Sequence, residues 1–318
     1  MTKGAPRVAV VSGGVGAARM LAALLRVLPP SAVTAVANVG DDMELHGLYI
    51  SPDLDTITYT LAGQINAETG WGLTGETWQA MESLRRYGGL DWFGLGDRDL
   101  GTHMYRTQRR SEGATLTTIT AEVLAAWGVG ITLLPVTDDR LRTMITLAEG
   151  DEAGREVTFQ EYFVQRRHSV GVRSIRFEGA EKAHAAPQVL TCLAESDLVV
   201  IAPSNPLVSI DPVLAVRGVR ATLQQHRQRV VAVSPIVAGA ALKGPADRLM
   251  HELGHEASVV GVARLYTPFA STLVIDEADR HLADAVAAEG IEPLVTRTIM
   301  SQPGVAESLA RTILGHQR

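Results

Sequence analysis

The sequence predicts an α/β fold: an open parallel sheet with helices on its faces and a smaller, mainly helical subdomain over one end. Three observations lead there. Short β-branched apolar runs recur at residues 8–11, 33–39, 131–136, 197–203, 229–235 and 272–275. Stretches with helical spacing separate the first two runs and the pair at 197–203 and 229–235, the pattern of parallel strands joined by right-handed crossovers. Polar and glycine-rich loops follow several of these runs, where an open α/β sheet binds its ligands.

Taken in order, residues 8–11 form a first strand, 12–16 a glycine turn, and 17–27 a helix ended by Pro29 and Pro30. Residues 33–39 form a second strand. Residues 60–127 read as a helical insertion over the carboxyl end of the sheet, with helical spacing at 76–87 and 117–127. A strand follows at 131–136. Polar and apolar residues alternate around 157–164, so residues 150–180 read as a small β excursion. A strand–helix–strand unit spans 197–235 with its helix at 212–225, and further strands are expected at 258–262 and 272–275. No repeat or low-complexity linker divides the chain. Residues 1–318 therefore read as one α/β unit carrying these two additions.

Composition narrows the function. Of 318 residues, 46% are hydrophobic and 20% charged, enough apolar sequence for a substantial core. A formal net charge of −6 argues against a general nucleic-acid-binding surface. The single cysteine, Cys192, has no partner for an intramolecular disulfide, suits a reducing compartment and reads as a small core residue. The apolar runs are too short to span a bilayer, and the first strand leads into glycines rather than a cleavage site. A soluble, cytoplasmic protein is expected.

The densest chemistry lies in NVGDDMELHGLYISPDLDT, residues 38–56, where Asp41, Asp42, Asp53 and Asp55 follow the second strand. Carboxylates gathered there hold a metal ion, orient a substrate or take up a proton; the alternative is a polar loop in which Asp55 and Thr56 cap the next helix. The turn SGGVGAAR carries Gly13, Gly14 and Gly16 between strand and helix, which lets a backbone approach a phosphate. Arg19 stands where a dinucleotide fingerprint has its third glycine, and no P-loop lysine is present, so the turn alone leaves a structural role open. In GLGDRDLGTH, residues 94–103, either Arg98 clamps a phosphate beside Asp97, Asp99 and His103, or Asp97 caps a helix and the charges are solvated.

PSNPLVSIDP, residues 203–212, offers Ser204, Asn205 and Ser209 on a proline-stiffened loop, as a ligand grip or as a turn and helix cap. SPIVAGAALKGPA, residues 234–246, adds Gly239 and Lys243, the latter a phosphate neighbour or a surface lysine. Four such loops gather on one sheet edge. Together they support a nucleotide or phosphate site with carboxylates and Mg²⁺.

These strings, with FQEYFV and GVARLYTPFASTLVIDEAD, occur in an order that resembles the 2-phospho-L-lactate transferase family of coenzyme F-420 biosynthesis, including its phosphoenolpyruvate-transferring members. The resemblance implies a Rossmann-like core with a smaller subdomain over the site, in a homodimer. It implies transfer of a phosphorylated three-carbon acid from a guanosine diphosphate adduct to the ribityl hydroxyl of the deazaflavin Fo, with GMP leaving and Mg²⁺ required. Asp55 then matches an aspartate that contacts Fo. Gly94 stands at a second Fo position where archaeal relatives have lysine, which shifts part of that task to Arg98 or Trp92. Gly13, Gly14, Gly16, Ser204 and Asn205 match the nucleotide side. Asp41, Asp42 and Asp53 are the metal candidates, and Asp55 with Asp41 the catalytic ones.

Two other functions remain to be weighed. A nucleotide-sugar-binding regulatory protein of the related fold would follow its second strand with a DDGGSSG-like stretch, whereas here Asp41 and Asp42 lead into MELHGLYISPDLDT. An NAD-dependent oxidoreductase would need an intact fingerprint and an acidic residue closing the second strand.

Overall fold

The computed structural model describes residues 4–242 and 244–316. Strand β1 (Val8–Ser12) runs into α1 (Gly14–Leu24), which returns to β2 (Val33–Ala37). A hairpin of β3 (Met43–Leu45) and β4 (Leu48–Ile50) leads into α2 (Pro52–Leu61). The insertion supplies α3 (Gln79–Arg86), α4 (Asp99–Ser111) and α5 (Leu116–Ala126), and the chain re-enters the sheet at β5 (Thr132–Pro135). An antiparallel excursion follows, with β6 (Arg142–Leu147) between β7 (Glu156–Thr158) and β8 (Val172–Glu178).

The second half runs α6 (Val189–Glu195), β9 (Leu198–Ile201), α7 (Asp211–Ala215), α8 (Val219–Gln225) and β10 (Val230–Val233). A short hairpin of β11 (Ile236–Val237) and β12 (Ala240–Ala241) precedes α9 (Ala246–Glu252) and α10 (Val259–Tyr266). The chain closes with β13 (Thr272–Ile275), α11 (Ala283–Ala288), β14 (Glu292–Val295) and α12 (Val305–His316). Among the described residues no helix is long and apolar enough to cross a membrane.

Seven strands form one parallel sheet in the order β14-β13-β10-β9-β1-β2-β5. Every residue of β1, β9, β10 and β13 is buried, as expected of parallel strands covered by helices on both faces. The order grows outward from β1 in two directions, through β2 and β5 on one side and β9 onward on the other. The switch point therefore lies between β1 and β9, where an α/β sheet opens a crevice at its carboxyl end.

The structure departs from the sequence expectations at four places. Residues 258–262, expected as a strand, open α10: the Ser258 hydroxyl accepts the Val260 and Gly261 N–H groups and caps the helix. A valine run this short reads either way until its cap decides. The helix expected over 212–225 is split into α7 and α8, with Gly218 at a φ of 89° between them. Strand β14, which holds Pro293, is an edge strand that the apolar pattern did not reveal. The antiparallel excursion also starts earlier than residue 150, at Arg142.

The loops after β1 and β9 meet backbone to backbone. A Cβ on Gly16 would fall on the Pro203 carbonyl oxygen, and one on Gly13 would lie 2.8 Å from the Ser209 Cβ. These glycines are required sterically whether or not a phosphate binds beside them. Gly16→Ala should therefore lower the unfolding free energy by about 1–3 kcal/mol, read by urea denaturation. A change below about 0.5 kcal/mol, the scale of a neutral surface substitution, would show that the seam relaxes without strain.

Candidate active site

A cavity of about 770 Å³ opens at the carboxyl ends of the strands. The loop after β1, the Asp41 turn and the first turn of α2 line it, together with residues of the 203–209 loop, Ser234, Pro235 and Thr298–Ser301. The insertion adds Trp71, Phe93 and Gly94, and the antiparallel excursion adds Phe159 and Phe163. A volume of this size lies within the range of small-molecule and cofactor pockets.

Four aspartates lie buried at this end of the sheet: Asp41, Asp42, Asp53 and Asp55 are each at most 7% exposed. Their environments differ. Asp53, in the first turn of α2, accepts the Gly14 N–H at 2.8 Å and the Asn38 side-chain amide at 3.0 Å. It thus links the loops after β1 and β2 and takes the N-terminus of α1 as a partial positive charge. Burial nevertheless pushes its carboxyl up to about 6. Asp41 lies well above the usual carboxylate range, from burial and then from repulsion by Asp53, and its Oδ1 has no hydrogen-bond partner among the described residues. Asp42 lies beneath, outside the cavity lining; burial lifts it to about 7, while Arg142 and the Ser51 hydroxyl, 2.9 Å away, pull in the opposite direction.

Asp55 has a different solution. Arg106 of α4, itself 3% exposed, donates to both Asp55 carboxylate oxygens and reaches the Tyr49 carbonyl at 3.4 Å. His103 sits one turn earlier, its Nδ1 3.3 Å from the Arg106 guanidinium and 3.7 Å from Asp55. On its other side Nε2 lies 3.2 Å from Asp99, which accepts the Tyr59 hydroxyl at 2.5 Å. Burial and the Asp55 and Asp99 carboxylates raise Tyr59 far above a free phenol, so it remains a donor. Asp55, Asp99 and His103 place ligand atoms within 4.8 Å of one another, spacing that suits a metal. However, the guanidinium on Asp55 already occupies the electrostatic place of a cation there.

The insertion is fixed by reciprocal caps. Glu76, ahead of α3, accepts the Arg98 and Asp99 N–H groups at the start of α4. Asp97, ahead of α4, accepts the Gln79 and Ala80 N–H groups at the start of α3, along with the Thr77 hydroxyl. These bonds hold Asp97 below the usual carboxylate range. Each acid satisfies orphan donors of the other helix.

Of the residues singled out in the sequence, Gly13, Gly14, Gly16, Asp41, Asp53, Asp55, Gly94, Ser204, Asn205 and Ser209 meet around the cavity. Asp42, Asp97, Arg98 and Trp92 do not line it. Asp97 is a helix cap, Arg98 donates to the Thr74 carbonyl, and Trp92 packs edge-on against Phe93. The expected shift of a binding task to Arg98 or Trp92 thus finds no support; Trp71 and Phe93 hold that wall. Lys243 lies outside the described residues. Ser204 donates to the Gly13 carbonyl at 2.6 Å and so stitches the seam between loops, whereas Asn205 Oδ1 accepts the Leu207 N–H and caps the turn that follows it. Cys192 is half-buried, its thiol pushed up to about 12 by burial, as befits a packed and unreactive group.

Sequence reasoning missed Arg106, Tyr59, Asn38 and Phe163. Only the burial of Arg106 distinguishes it from the surface arginines Arg109 and Arg110 that follow, and no local signal encodes that. Removing it leaves Asp55 buried without a counterion. Arg106→Met should cost about 3–5 kcal/mol of stability, and adding Asp55→Asn should restore part of that in a double-mutant cycle by chemical denaturation. Additive losses would show that the pair is not coupled.

The model of the family described as 2-phospho-L-lactate transferase CofD matches residues 8–307. A Nocardia farcinica protein named phosphoenolpyruvate transferase is 40% identical over 312 residues, covering 97% of this chain and 94% of that protein. A Streptomyces griseus protein of the same name is 41% identical over 310 residues, covering 97% of each. Among solved structures, a UPF0052 family member from Bacillus halodurans superposes with a TM-score of 0.61 at 15% identity, covering 97% of this chain and 99% of the other, a likeness of fold. With the family match spanning nearly the whole chain and the relatives near 40% identity, the chain belongs to the 2-phospho-L-lactate transferase CofD family.

Proposed function

We propose that this protein transfers a phosphorylated three-carbon acid, phosphoenolpyruvyl or 2-phospholactyl, from a guanosine diphosphate adduct to the ribityl hydroxyl of the deazaflavin Fo. GMP leaves, and a phosphodiester forms in the making of coenzyme F-420. Family membership and the names of the relatives support the transferred group. The observation that carries the reading is the cavity at the switch point, about 770 Å³ in volume and lined by both buried carboxylates and aromatic rings.

In this reading the acceptor hydroxyl attacks the phosphorus that bears the three-carbon acid. The new P–O bond forms as the bond to GMP breaks, and the hydroxyl proton moves toward a carboxylate. Asp55 is placed for that role: it lines the cavity, and Arg106 fixes the direction of its oxygens. Trp71 and Phe93 offer flat apolar faces beside Asp55 for a tricyclic acceptor. Ser204, Asn205 and Ser209, which also line the cavity, are assigned to the donor side on the strength of the resemblance.

A metal fits Asp41 and Asp53. They are oxygen donors, mutually repelling, buried against the cavity, and Asp41 has an unpartnered oxygen. Mg²⁺ held there would neutralise diphosphate charge as the GMP leaving group departs. Asp42, turned onto Ser51 and away from the cavity, is left out of the ligand set that its sequence position suggested. The resemblance supports a homodimer in the cytoplasm, its assembly open to light scattering.

The direct test is GMP release and product mass with Fo, Mg²⁺ and lactyl, enolpyruvyl or glyceryl diphosphoguanosine. Turnover of the first or second supports the reading and names the donor. No turnover with any, together with no Fo binding, overturns it in favour of a nucleotide-binding regulator. Asp55→Asn should lower kcat by about two orders of magnitude or more, the range of positioned acid–base groups; near-normal turnover removes Asp55 from the reaction.

Metal binding should also follow pH. Asp42 near 7 and Asp53 near 6 compare with about 3.9 in an unfolded chain. Between these values the folded protein holds protons that the unfolded chain has released. The contribution of these groups to stability is therefore fully present below about pH 4 and falls as pH rises to about 7. A bound divalent cation requires the deprotonated carboxylates. With Asp53 near 6 and Asp41 raised as well, Mg²⁺ should raise the melting temperature less at about pH 5 than at about pH 8. Equal shifts at both would exclude Asp41 and Asp53 as ligands.

A further inference from the structure

The cavity is short of positive charge. Four of its lining residues, Asp41, Asp53, Asp55 and Asp99, are acidic, and among the described lining residues the one arginine or lysine is Arg19. Arg19 is exposed and makes no ion pair or hydrogen bond to any described residue, whereas Arg106 and Arg142 nearby are buried and spent on protein groups. It sits on α1, three residues after Gly16 and four after Val15, so all three share the helix face turned to the cavity.

The glycine turn itself does not supply the missing charge. The Gly14 N–H is taken by Asp53, and Gly13 and Gly16 are glycines because the β9 loop packs on them. The first turn of α1 thus faces a carboxylate, which offsets much of the attraction that a bare helix start would exert on a phosphate.

We propose that Arg19 is the cationic grip for the donor, a binding residue whose planar fork engages an oxyanion of the donor, either on its diphosphate or on its three-carbon carboxylate. This rests on the donor class proposed above. The fork matches either oxyanion with two parallel hydrogen bonds, and its freedom from protein partners leaves all of its donors available. It lies one turn into α1 after Gly16, which packs on the Pro203 carbonyl, so the helix that carries it borders the Pro203–Ser209 loop assigned above to the donor. Arg19 therefore governs donor affinity and leaves acceptor affinity alone.

The test uses the full chain with Arg19→Met and Arg19→Lys. Because Arg19 is exposed and unpaired, both variants should melt as the wild type does. In steady state Arg19→Met should raise KM for the enolpyruvyl or lactyl adduct about ten- to a hundredfold, the worth of a charged hydrogen-bonded contact, with KM for Fo unchanged. Lysine should recover part of the loss. Calorimetry without Fo, using the same adduct and GDP as probes, reads the grip independently of transfer. Parallel weakening of GDP and adduct assigns the fork to the diphosphate. Weakening of the adduct alone assigns it to the carboxylate. Affinities for both probes within twofold of wild type, or a loss confined to kcat or to Fo, would overturn the proposal. An absence of turnover in the wild type with adduct binding intact would sink the proposed reaction and leave the grip standing.

Discussion

Burying four like charges within one short stretch is the constraint on which this structure turns. Carboxylates in a low-dielectric interior are costly unless each finds a counter-charge or gives up its ionisation. The chain uses a different answer for each. Arg106 takes Asp55, Arg142 opposes the rise at Asp42, and the N-terminus of α1 takes Asp53. Asp41 gets none of these and keeps an unpartnered oxygen beside Asp53. The distribution separates Asp42 and Asp55, each opposed by an arginine, from Asp41 and Asp53, which have no cationic side chain against them and repel each other. The second pair faces the cavity, where a divalent cation would complete it.

The same constraint explains why the insertion belongs to the site. Arg106 and His103 lie on α4, so the counter-charge for Asp55 arrives from a segment fifty-one residues away in sequence. The ion pair therefore reports whether α4 is docked. The reciprocal caps at Glu76 and Asp97 keep α3 and α4 in fixed relation, and the T-shaped Trp71–Trp78 pair closes the wall above Gly94. A displacement of this assembly would loosen Asp55 and the aromatic wall together. Orientation of the carboxylate and closure of the aromatic wall are thus one mechanical unit.

How much of this was legible in the sequence depends on the range of the interaction concerned. The strands were legible because short valine-rich runs buried on both faces leave a signal within five residues, and the loops after β1, β2, β9 and β10 followed from parallel topology. What failed was non-local or degenerate. Residues 258–262 are as apolar as a strand, and only the Ser258 cap makes them a helix. Asp97 and Arg98 were readable as a phosphate clamp because the donors that Asp97 satisfies belong to a helix that starts about twenty residues earlier. The glycines of the first turn were readable as a phosphate cradle, yet their steric reason is the Pro203 carbonyl, nearly two hundred residues away. Arg106 gave no signal at all, since burial of an arginine is decided by the partner it finds.

Gly94 shows how one substitution redistributes charge over the whole site. The family resemblance places a lysine there in archaeal relatives, which would set a cation beside the acceptor. Here a Cβ alone would already lie 3.2 Å from the Trp78 ring and 3.6 Å from that of Trp71, so a long side chain and the present closeness of the indoles exclude one another. The chain thereby exchanges a cation for an aromatic wall. On the proposed function that exchange would favour stacking on a flat acceptor, and it leaves a cavity rich in carboxylates without a cation at this position. The neutralisation of an anionic donor then has to come from elsewhere, from an ion held at Asp41 and Asp53 and from the free fork of Arg19. On the proposed function, acceptor recognition and charge neutralisation, which one lysine would combine, are divided between the aromatic wall on the one hand and α1 with the Asp41 turn on the other.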